Sequence, residues 1–249
     1  MFEVEDNIMS LSKEQKERYF RTTFLKEIGE EGQLKLLNSK VIVIGCGGLA
    51  SSSLIYLTSI GVGNITIVDD DVVKLDNLPR QILYEYKNVG KSKVKVTKKK
   101  LKRINPDVNV VAKQIRLTKH NASRILKGHD IVLDCTDNFD TKFLINDTCL
   151  KLNIPFVIAG VSDFQGQICT CIPHKTKDFR SLFPIRSLDL NEEYLKIEKG
   201  VFPLSVGVVS NVASMEVIKC LLGIGELLTN KLAVINLLHN QYQIIEFPE

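Results

Sequence analysis

A glycine-rich loop between an apolar run and a helical stretch constrains the fold more than any other feature. Residues 41–44, "VIVI", predict a buried strand, and residues 45–50, "GCGGLA", fit the pattern G-x-G-x-x-[G/A]. The glycines permit a tight turn and a close approach to phosphate oxygens, and the helix start that follows favours an anion. A strand before and a helix after are the context in which this pattern binds nucleotides. The segment therefore predicts a nucleotide site that includes Gly45, Gly47 and Gly48.

Helix and strand patterns alternate along the rest of the chain. They predict helices over 13–37, 50–60, 91–104, 118–127, 139–152 and 207–222, and strands over 41–44, 65–68, 108–113, 130–136, 155–161, 166–172, 231–238 and 242–247. Such alternation is typical of βαβ units, whereas the short links between the last strands indicate antiparallel pairing. We expect an α/β fold, with a Rossmann-like, mostly parallel sheet, helices on both faces and an antiparallel C-terminal extension.

The whole chain, residues 1–249, is predicted to be a single nucleotide-binding domain. It divides into N-terminal helices over 1–38, a nucleotide-binding core over 39–160, and a crossover loop with C-terminal strands over 161–249.

Composition excludes several classes of protein. The hydrophobic fraction of 44% and the charged fraction of 25% are ordinary for a globular enzyme, and a net charge of +4 is too small to indicate nucleic-acid binding. The sequence has no 18-residue apolar run and no basic-then-apolar start, so we expect neither a membrane span nor a secretory signal. The six cysteines are scattered through apolar segments and form no disulfide-like framework, which favours a reducing, cytoplasmic setting.

Acidic residues follow the second predicted strand. Asp69, Asp70 and Asp71 stand roughly 20 residues past the glycines, where a carboxylate binds ribose hydroxyls in dinucleotide-binding folds. ATP carries the same ribose as NAD. This feature therefore leaves open both an ATP-dependent enzyme and an NAD-dependent oxidoreductase.

Polar and cationic residues continue from this point. Asn77, Arg80 and Gln81 follow within the same segment, and Lys93 stands at the start of a basic helix. Hydride transfer requires no such set, whereas a triphosphate does, because its charge must be neutralised while a phosphoryl bond breaks. Each cation taken alone could equally be a solvated surface charge.

Two further aspartates follow a later strand. Asp134 and Asp137 lie in "LDCTDN", and carboxylates near phosphates suit Mg²⁺. Asp137 and Asn138 could also cap the helix that follows.

Together these segments resemble the ThiF/MoeB/HesA family, the bacterial relatives of ubiquitin-activating enzymes. The matching features are "RYFR" (18–21), "GCGGLA" (45–50), "DDDVVKLDNLPRQ" (69–81), "VGKSK" (89–93), "RINP" (103–106), "LDCTDN" (133–138) and "GQ" (166–167). They occur in the family's order and cover about residues 15–225. Their joint order is far more specific than the glycine loop alone.

The resemblance implies a reaction and a role for each site residue. A C-terminal carboxylate attacks the α-phosphorus of ATP, giving an acyl-adenylate and pyrophosphate. Asp69 would hold the ribose; Asn77, Arg80 and Lys93 would contact phosphates, with Gln81 alongside; and Asp137 would hold Mg²⁺.

The resemblance also implies a homodimer. Arg21 matches an arginine that family dimers deliver into the neighbouring subunit's site, which would make it catalytic together with Arg80, Lys93 and Asp137. Thr22 departs from the glutamine that is common in the family, and this weakens the match.

Two family features are missing from the sequence. The first of the two C-x-x-C zinc pairs would fall near 178–183, where Asp178 and Ser181 stand instead, so we predict no structural zinc ligands. The segment 192–203 contains no cysteine, and Lys196 occupies the approximate position, which disfavours a thioester step.

The substrate is left open by the sequence. A small ubiquitin-like sulfur-carrier protein with a Gly-Gly C-terminus is the leading partner, and a short peptide is the alternative. A nucleotide-binding scaffold without catalysis is a third class. The polar stretch 173–200 is predicted to be a substrate-binding loop. The basic helix 87–103 is predicted to be a solvated face rather than a nucleic-acid site, and it could also attract an acidic protein.

Overall fold

The computed structural model describes residues 9–183 and 200–247. Within them, eight strands form one sheet in the order β3-β2-β1-β4-β5-β6-β7-β8. The strands are β1 Lys40–Ile44, β2 Asn64–Val68, β3 Asn109–Lys113, β4 Ile131–Asp134, β5 Phe156–Ser162, β6 Gln165–Cys171, β7 Lys231–Asn236 and β8 Gln241–Glu246. Strands β1 to β5 pair in parallel, and β5 to β8 pair antiparallel. The predicted fold class is confirmed.

Helices cover both faces of the sheet. They are α1 Lys13–Arg18, α2 Phe20–Thr23, α3 Gly29–Asn38, α4 Gly48–Ser59, α5 Lys93–Ile104, α6 Ala122–Leu126, α7 Phe139–Leu152, α8 Phe179–Leu182 and α9 Pro203–Leu222. One apolar cluster joins α3, α4, α5 and α9 to the sheet, and a second joins α6, α7 and α8 to its other face. Alternate residues of β1 enter different clusters, because successive side chains of a strand point to opposite faces.

The helix predicted over 13–37 is wrong as one element. The chain forms α1, α2 and α3 instead, and the break after α1 lies at Tyr19, which is only 1% exposed. Its hydroxyl accepts a hydrogen bond of 2.8 Å from Asn105 Nδ2. Gly29 begins α3 with a φ of +59°, which a continuous helix does not allow. Tertiary contact and one backbone angle therefore override the helical periodicity.

Two helices begin earlier than the sequence pattern predicted. Helix α4 starts at Gly48 rather than residue 50, so the last glycine of the loop is already helical. Helix α9 starts at Pro203 rather than residue 207, because proline fits the first helical position, where its missing N–H has no partner to lose. The stretch 173–200, expected to be a loop, contains α8; its residues 184–199, including Lys196, lie outside the described residues.

Helix α9 is the central helix of the second half of the chain. Its length and composition would suffice to cross a membrane, but 56% of its apolar stretch is buried in the protein. It packs on α4, β5 and β6. Its buried Glu216 accepts hydrogen bonds from Thr170 and from the Leu228 N–H. The apolar face of α9 thus serves the core of this fold, and it brings the amino end of the helix to the carboxyl edge of the parallel strands.

Candidate nucleotide site

The glycine loop connects the end of β1 to the start of α4. Gly45 has a φ of +90°, and a Cβ at this position would lie 2.9 Å from the Cys135 carbonyl oxygen. Its N–H donates to the Val68 carbonyl over 2.8 Å. The turn therefore packs closely between the carboxyl ends of β2 and β4. Only glycine allows both the positive φ and the short distance to the Cys135 carbonyl.

The polar segment after β2 folds back onto this loop. A Cβ on Gly47 would lie 3.7 Å from Gln81 Nε2, and a Cβ on Gly48 would lie 3.3 Å from the Arg80 carbonyl oxygen and 3.6 Å from Arg80 Cγ. Asn77 lies in the same turn, and its carbonyl accepts the N–H groups of both Arg80 and Gln81. The structure thus brings these three predicted residues to the glycine loop or next to it.

Asp69 is bonded directly to the loop. Its Oδ2 accepts the Cys46 N–H over 2.7 Å, and its Oδ1 accepts the Asp71 N–H over 2.7 Å. Burial raises the pKa of the Asp69 carboxyl above its usual range, although both hydrogen bonds act in the opposite direction. A half-buried acceptor fixed beside the phosphate loop fits the predicted role of holding ribose hydroxyls.

Lys93 is the first residue of α5 and is largely buried. Its Nζ lies 2.9 Å from Asp71 Oδ2, so the lysine stands beside the acidic turn that contains Asp69. Arg80 is half-buried, and its Nη1 donates to the Asp76 carbonyl over 2.7 Å. Phosphate contacts by these two cations stay a prediction.

Asp137 lies in the short loop between β4 and α7. It follows Cys135, whose carbonyl faces Gly45, by two residues, and its side chain is exposed. The cap of α7 is formed by Asn138, whose Oδ1 accepts the Thr141 N–H over 2.9 Å. In the part of the chain that the structure describes, the Asp137 carboxylate accepts one hydrogen bond, from Asn138 Nδ2 over 3.4 Å. An exposed carboxylate of this kind fits the requirement of Mg²⁺, which binds through one or two carboxylates and substrate phosphates.

Asp134 does not fit a metal ligand, contrary to the suggestion from the sequence. It is fully buried, and its two oxygens accept hydrogen bonds from Thr136 and Lys142. A carboxylate with both oxygens occupied in the core cannot reach a nucleotide without breaking these bonds.

Three residues at the site were not indicated by the sequence. The Tyr84 hydroxyl donates a hydrogen bond to the Cys46 carbonyl over 2.7 Å and so helps to fix the glycine loop. Val206 Cγ1 would lie 2.9 Å from a Cβ on Gly48, and this places the first turn of α9 against the loop. Ser205 beside it is buried, and its hydroxyl has no partner among the residues that the structure describes. These residues are distant in sequence from the glycines and carry no local pattern, so no sequence signal could have found them.

Gln81 gives a further indication of a ligand. It is 4% exposed, and its Oε1 has no hydrogen-bond partner within residues 9–183 and 200–247. A buried amide oxygen is normally paired, because leaving it unpaired costs about 1–3 kcal/mol. The Nε2 of the same side chain faces Gly47, so the unpaired Oε1 lies close to the glycine loop. An unpaired buried acceptor is expected beside a site that binds a polar molecule.

Arg21 lies apart from this group. It is exposed on α2, which packs on α3 and α1, and no hydrogen bond or ion pair joins it to the loop in the part of the chain that is described. The motif around it is nevertheless fixed: Tyr19 of "RYFR" bonds with Asn105 of "RINP" across 86 positions. Two motifs that were singled out separately in the sequence thus form one contact.

Comparison with known proteins identifies the family. The model of the ThiF family matches residues 19–249. The chain belongs to the ThiF family. It is 37% identical over 241 residues to the sulfur carrier protein adenylyltransferase of Thermus thermophilus, a match that covers 94% of this chain and 88% of that protein.

Two other proteins support the same assignment. A probable molybdopterin-synthase adenylyltransferase of Porphyra purpurea is 37% identical over 212 residues, covering 85% of this ThiF-family chain and 56% of that longer protein. The crystal structure of E. coli MccB with AMPCPP and MccA is 25% identical, with a TM-score of 0.83, and the match covers 93% of this chain and 72% of MccB. The protein is therefore a nucleotidyltransferase that uses ATP, and the NAD-dependent oxidoreductase is set aside.

Proposed function

We propose that the protein uses Mg²⁺ and ATP to adenylate the C-terminal carboxylate of a small ubiquitin-like sulfur-carrier protein. The observation that carries the proposal is the convergence of Asp69, Arg80 and Gln81 on the glycine loop. The Thermus relative, named for a sulfur carrier protein, supports this class of substrate. We further propose that a Gly-Gly terminus is recognised and that the protein acts in the cytoplasm.

The chemistry needs alignment and charge stabilisation rather than a tuned base. A carboxylate is already a nucleophile at neutral pH, so a bond forms from its oxygen to the α-phosphorus while the bond to the bridging oxygen breaks and pyrophosphate leaves. Arg80 and Lys93 would stabilise the charge on the phosphates, and Asp69 would fix the ribose. Mg²⁺, when bound, neutralises phosphate charge, and Asp137 is the residue that would hold it.

We also propose a homodimer in which Arg21 completes the neighbouring site. Support comes from the surface around this residue, where Phe20, Phe24 and Leu25 are all more than half exposed. Large apolar side chains grouped beside a cation are typical of a protein interface.

A short peptide is the second candidate substrate. It is favoured by the structural likeness to MccB, which was solved with MccA rather than with a protein named as a sulfur carrier. The geometry of the nucleotide site is the same for both substrates, since both present a C-terminal carboxylate.

Isotope exchange between pyrophosphate and ATP tests the proposal. The assay uses a ubiquitin-like carrier ending in Gly-Gly, the same carrier without its last residue, and a short synthetic peptide with the intact C-terminal sequence. We expect exchange with the intact carrier only. Exchange with the peptide at equal efficiency would favour the second candidate, and ATP binding without any exchange would indicate a scaffold.

Variants connect the activity to the site. Arg80→Ala and Asp69→Ala should reduce exchange, by about 10²-fold or more if charge stabilisation is lost. Arg124→Ala, an exposed arginine on α6, is the matched control and should leave exchange unchanged. Equal activity of Arg80→Ala and Arg124→Ala would contradict the proposal.

A further inference from the structure

A buried ion pair lies directly beneath the loop that contains Asp137. Asp134, the last residue of β4, is 0% exposed, and Lys142 on α7 is 7% exposed. Lys142 Nζ lies 3.1 Å from Asp134 Oδ2 and donates to the Ala159 carbonyl of β5 over 2.8 Å. One ammonium group thus joins the end of β4 and the middle of β5 to the fourth residue of α7.

The same carboxylate also holds the loop itself. Asp134 Oδ1 accepts the Thr136 N–H over 2.8 Å and the Thr136 hydroxyl over 2.6 Å. On the other side of Asp137, Asn138 caps α7. The segment between strand and helix is therefore fixed at both ends, and Asp137 stands between the two anchors with its own carboxylate exposed.

Stability alone does not account for this pair. Burying two charges costs desolvation that their attraction often fails to recover, and apolar side chains of equal volume are commonly as stable or more stable. The charges of the pair cancel, and within the described residues its hydrogen bonds go to Thr136 and Ala159 rather than to the glycine loop. The hydrogen bonds of Asp134 and Lys142 are directional, and they hold the loop between β4 and α7 in one conformation.

We infer that Asp134 and Lys142 are positioning residues that fix Asp137 in the orientation needed to hold Mg²⁺. This inference rests on the proposed function, because it takes Asp137 as the carboxylate that binds the metal. The groups around a metal ligand commonly act in this way, by restricting the ligand to the orientation in which it binds.

Nucleotide binding at equilibrium separates positioning from folding. Calorimetry with AMPCPP gives its dissociation constant in EDTA and across a series of Mg²⁺ concentrations. Mg²⁺ should increase the affinity for AMPCPP, and we expect Lys142→Met to raise the Mg²⁺ concentration at which half of this increase is reached, by about 10-fold or more. Loss of a residue that orients a metal ligand typically weakens metal affinity by this amount. The affinity in EDTA should stay unchanged, and Lys142→Arg should restore part of the metal response. Lys151→Met, at an exposed position of α7, is the matched control and should behave as the parent protein.

The outcomes distinguish the inference from the function on which it rests. Asp137→Asn is measured in parallel. If Asp137→Asn weakens the Mg²⁺ response and Lys142→Met does not, the inference is overturned and the proposed role of Asp137 stands. If neither variant changes the response, both are overturned. Should Lys142→Met fail to fold, Asp134→Asn/Lys142→Met removes both charges together and the same measurement decides.

Discussion

The contact between Gly48 and α9 leads to a prediction whose sign depends on the tertiary structure. Gly48 does not have a positive φ, so Gly48→Ala would ordinarily stabilise by about 0.4–1 kcal/mol through the unfolded chain. In the fold, the added Cβ would lie 2.9 Å from Val206 Cγ1. Carbon atoms in contact are separated by about 3.5–4.0 Å. We therefore expect overpacking to win and the free energy of unfolding to fall by about 1–3 kcal/mol.

A double-mutant cycle assigns this loss to one contact. Val206→Ala removes the methyl group that the new Cβ meets, and alone it should cost about 1–3 kcal/mol of buried apolar surface. In Gly48→Ala/Val206→Ala the overlap is relieved, so the combined loss should be smaller than the sum by about 0.5–3 kcal/mol. Gly160→Ala is the control, because a Cβ there meets nothing within 4 Å.

Urea unfolding provides the measurement, since a shift in midpoint at constant slope reports stability. We expect Gly160→Ala to be at least as stable as the parent protein, by up to about 1 kcal/mol, because it gains the unfolded-chain effect without an overlap. If Gly48→Ala is at least as stable as the parent, or if the cycle is additive, then α9 does not pack against the nucleotide loop and the site geometry described here is incorrect.

Three further predictions concern the residues around the site and the core. Tyr19→Phe should lower the unfolding free energy by about 1–2 kcal/mol in urea, because the buried Asn105 amide loses one of its two acceptors and keeps the Thr58 carbonyl; an unchanged midpoint would contradict this contact. Burial lowers the pKa of His129, which bonds to the Thr66 hydroxyl. As the pH falls, His129 is therefore protonated in the unfolded chain before it is protonated in the folded protein. The free energy of unfolding in urea should fall as the pH drops below about 6.5, and it should depend less on pH in His129→Gln. Protonation of Asp69 should weaken nucleotide affinity, and because the pKa of Asp69 is raised, this loss should begin at a pH above the ordinary aspartate range. Calorimetry in which the affinity of Asp69→Asn depends on pH in the same way would refute this.

Helix α8 is held against α7 by side-chain contacts. Asp178, near the position at which the resemblance implies a first zinc pair, caps α8 by accepting the Ser181 N–H and also accepts from Asn146 of α7. Phe179 lies against both Phe139 and Phe143 of α7, with ring centroids 6.3 and 5.4 Å apart. Hydrogen bonds and aromatic contacts thus attach this segment to α7.

Local patterns were sufficient for the elements whose side-chain periodicity is strong. The short apolar runs predicted β1, β2 and β4, and the glycine loop between strand and helix predicted where a nucleotide would bind. The periodicity failed over 13–37, because Tyr19 is drawn into a buried contact with Asn105 and Gly29 takes a positive φ. Sequence spacing cannot report either effect, since the first depends on a partner far along the chain.

For the site, the sequence determined which residue types stand in which order, and this order indicated Asp69, Arg80 and Asp137. Only the tertiary structure decided that Asp69 accepts a hydrogen bond from the loop, that Asp134 is buried and paired with Lys142, and that α9 lies against Gly48. The physical reason is that order along a chain fixes chemistry and local geometry. Which carboxylate faces a ligand and which faces a buried lysine depends on burial and hydrogen bonds between segments that meet only when the sheet has formed.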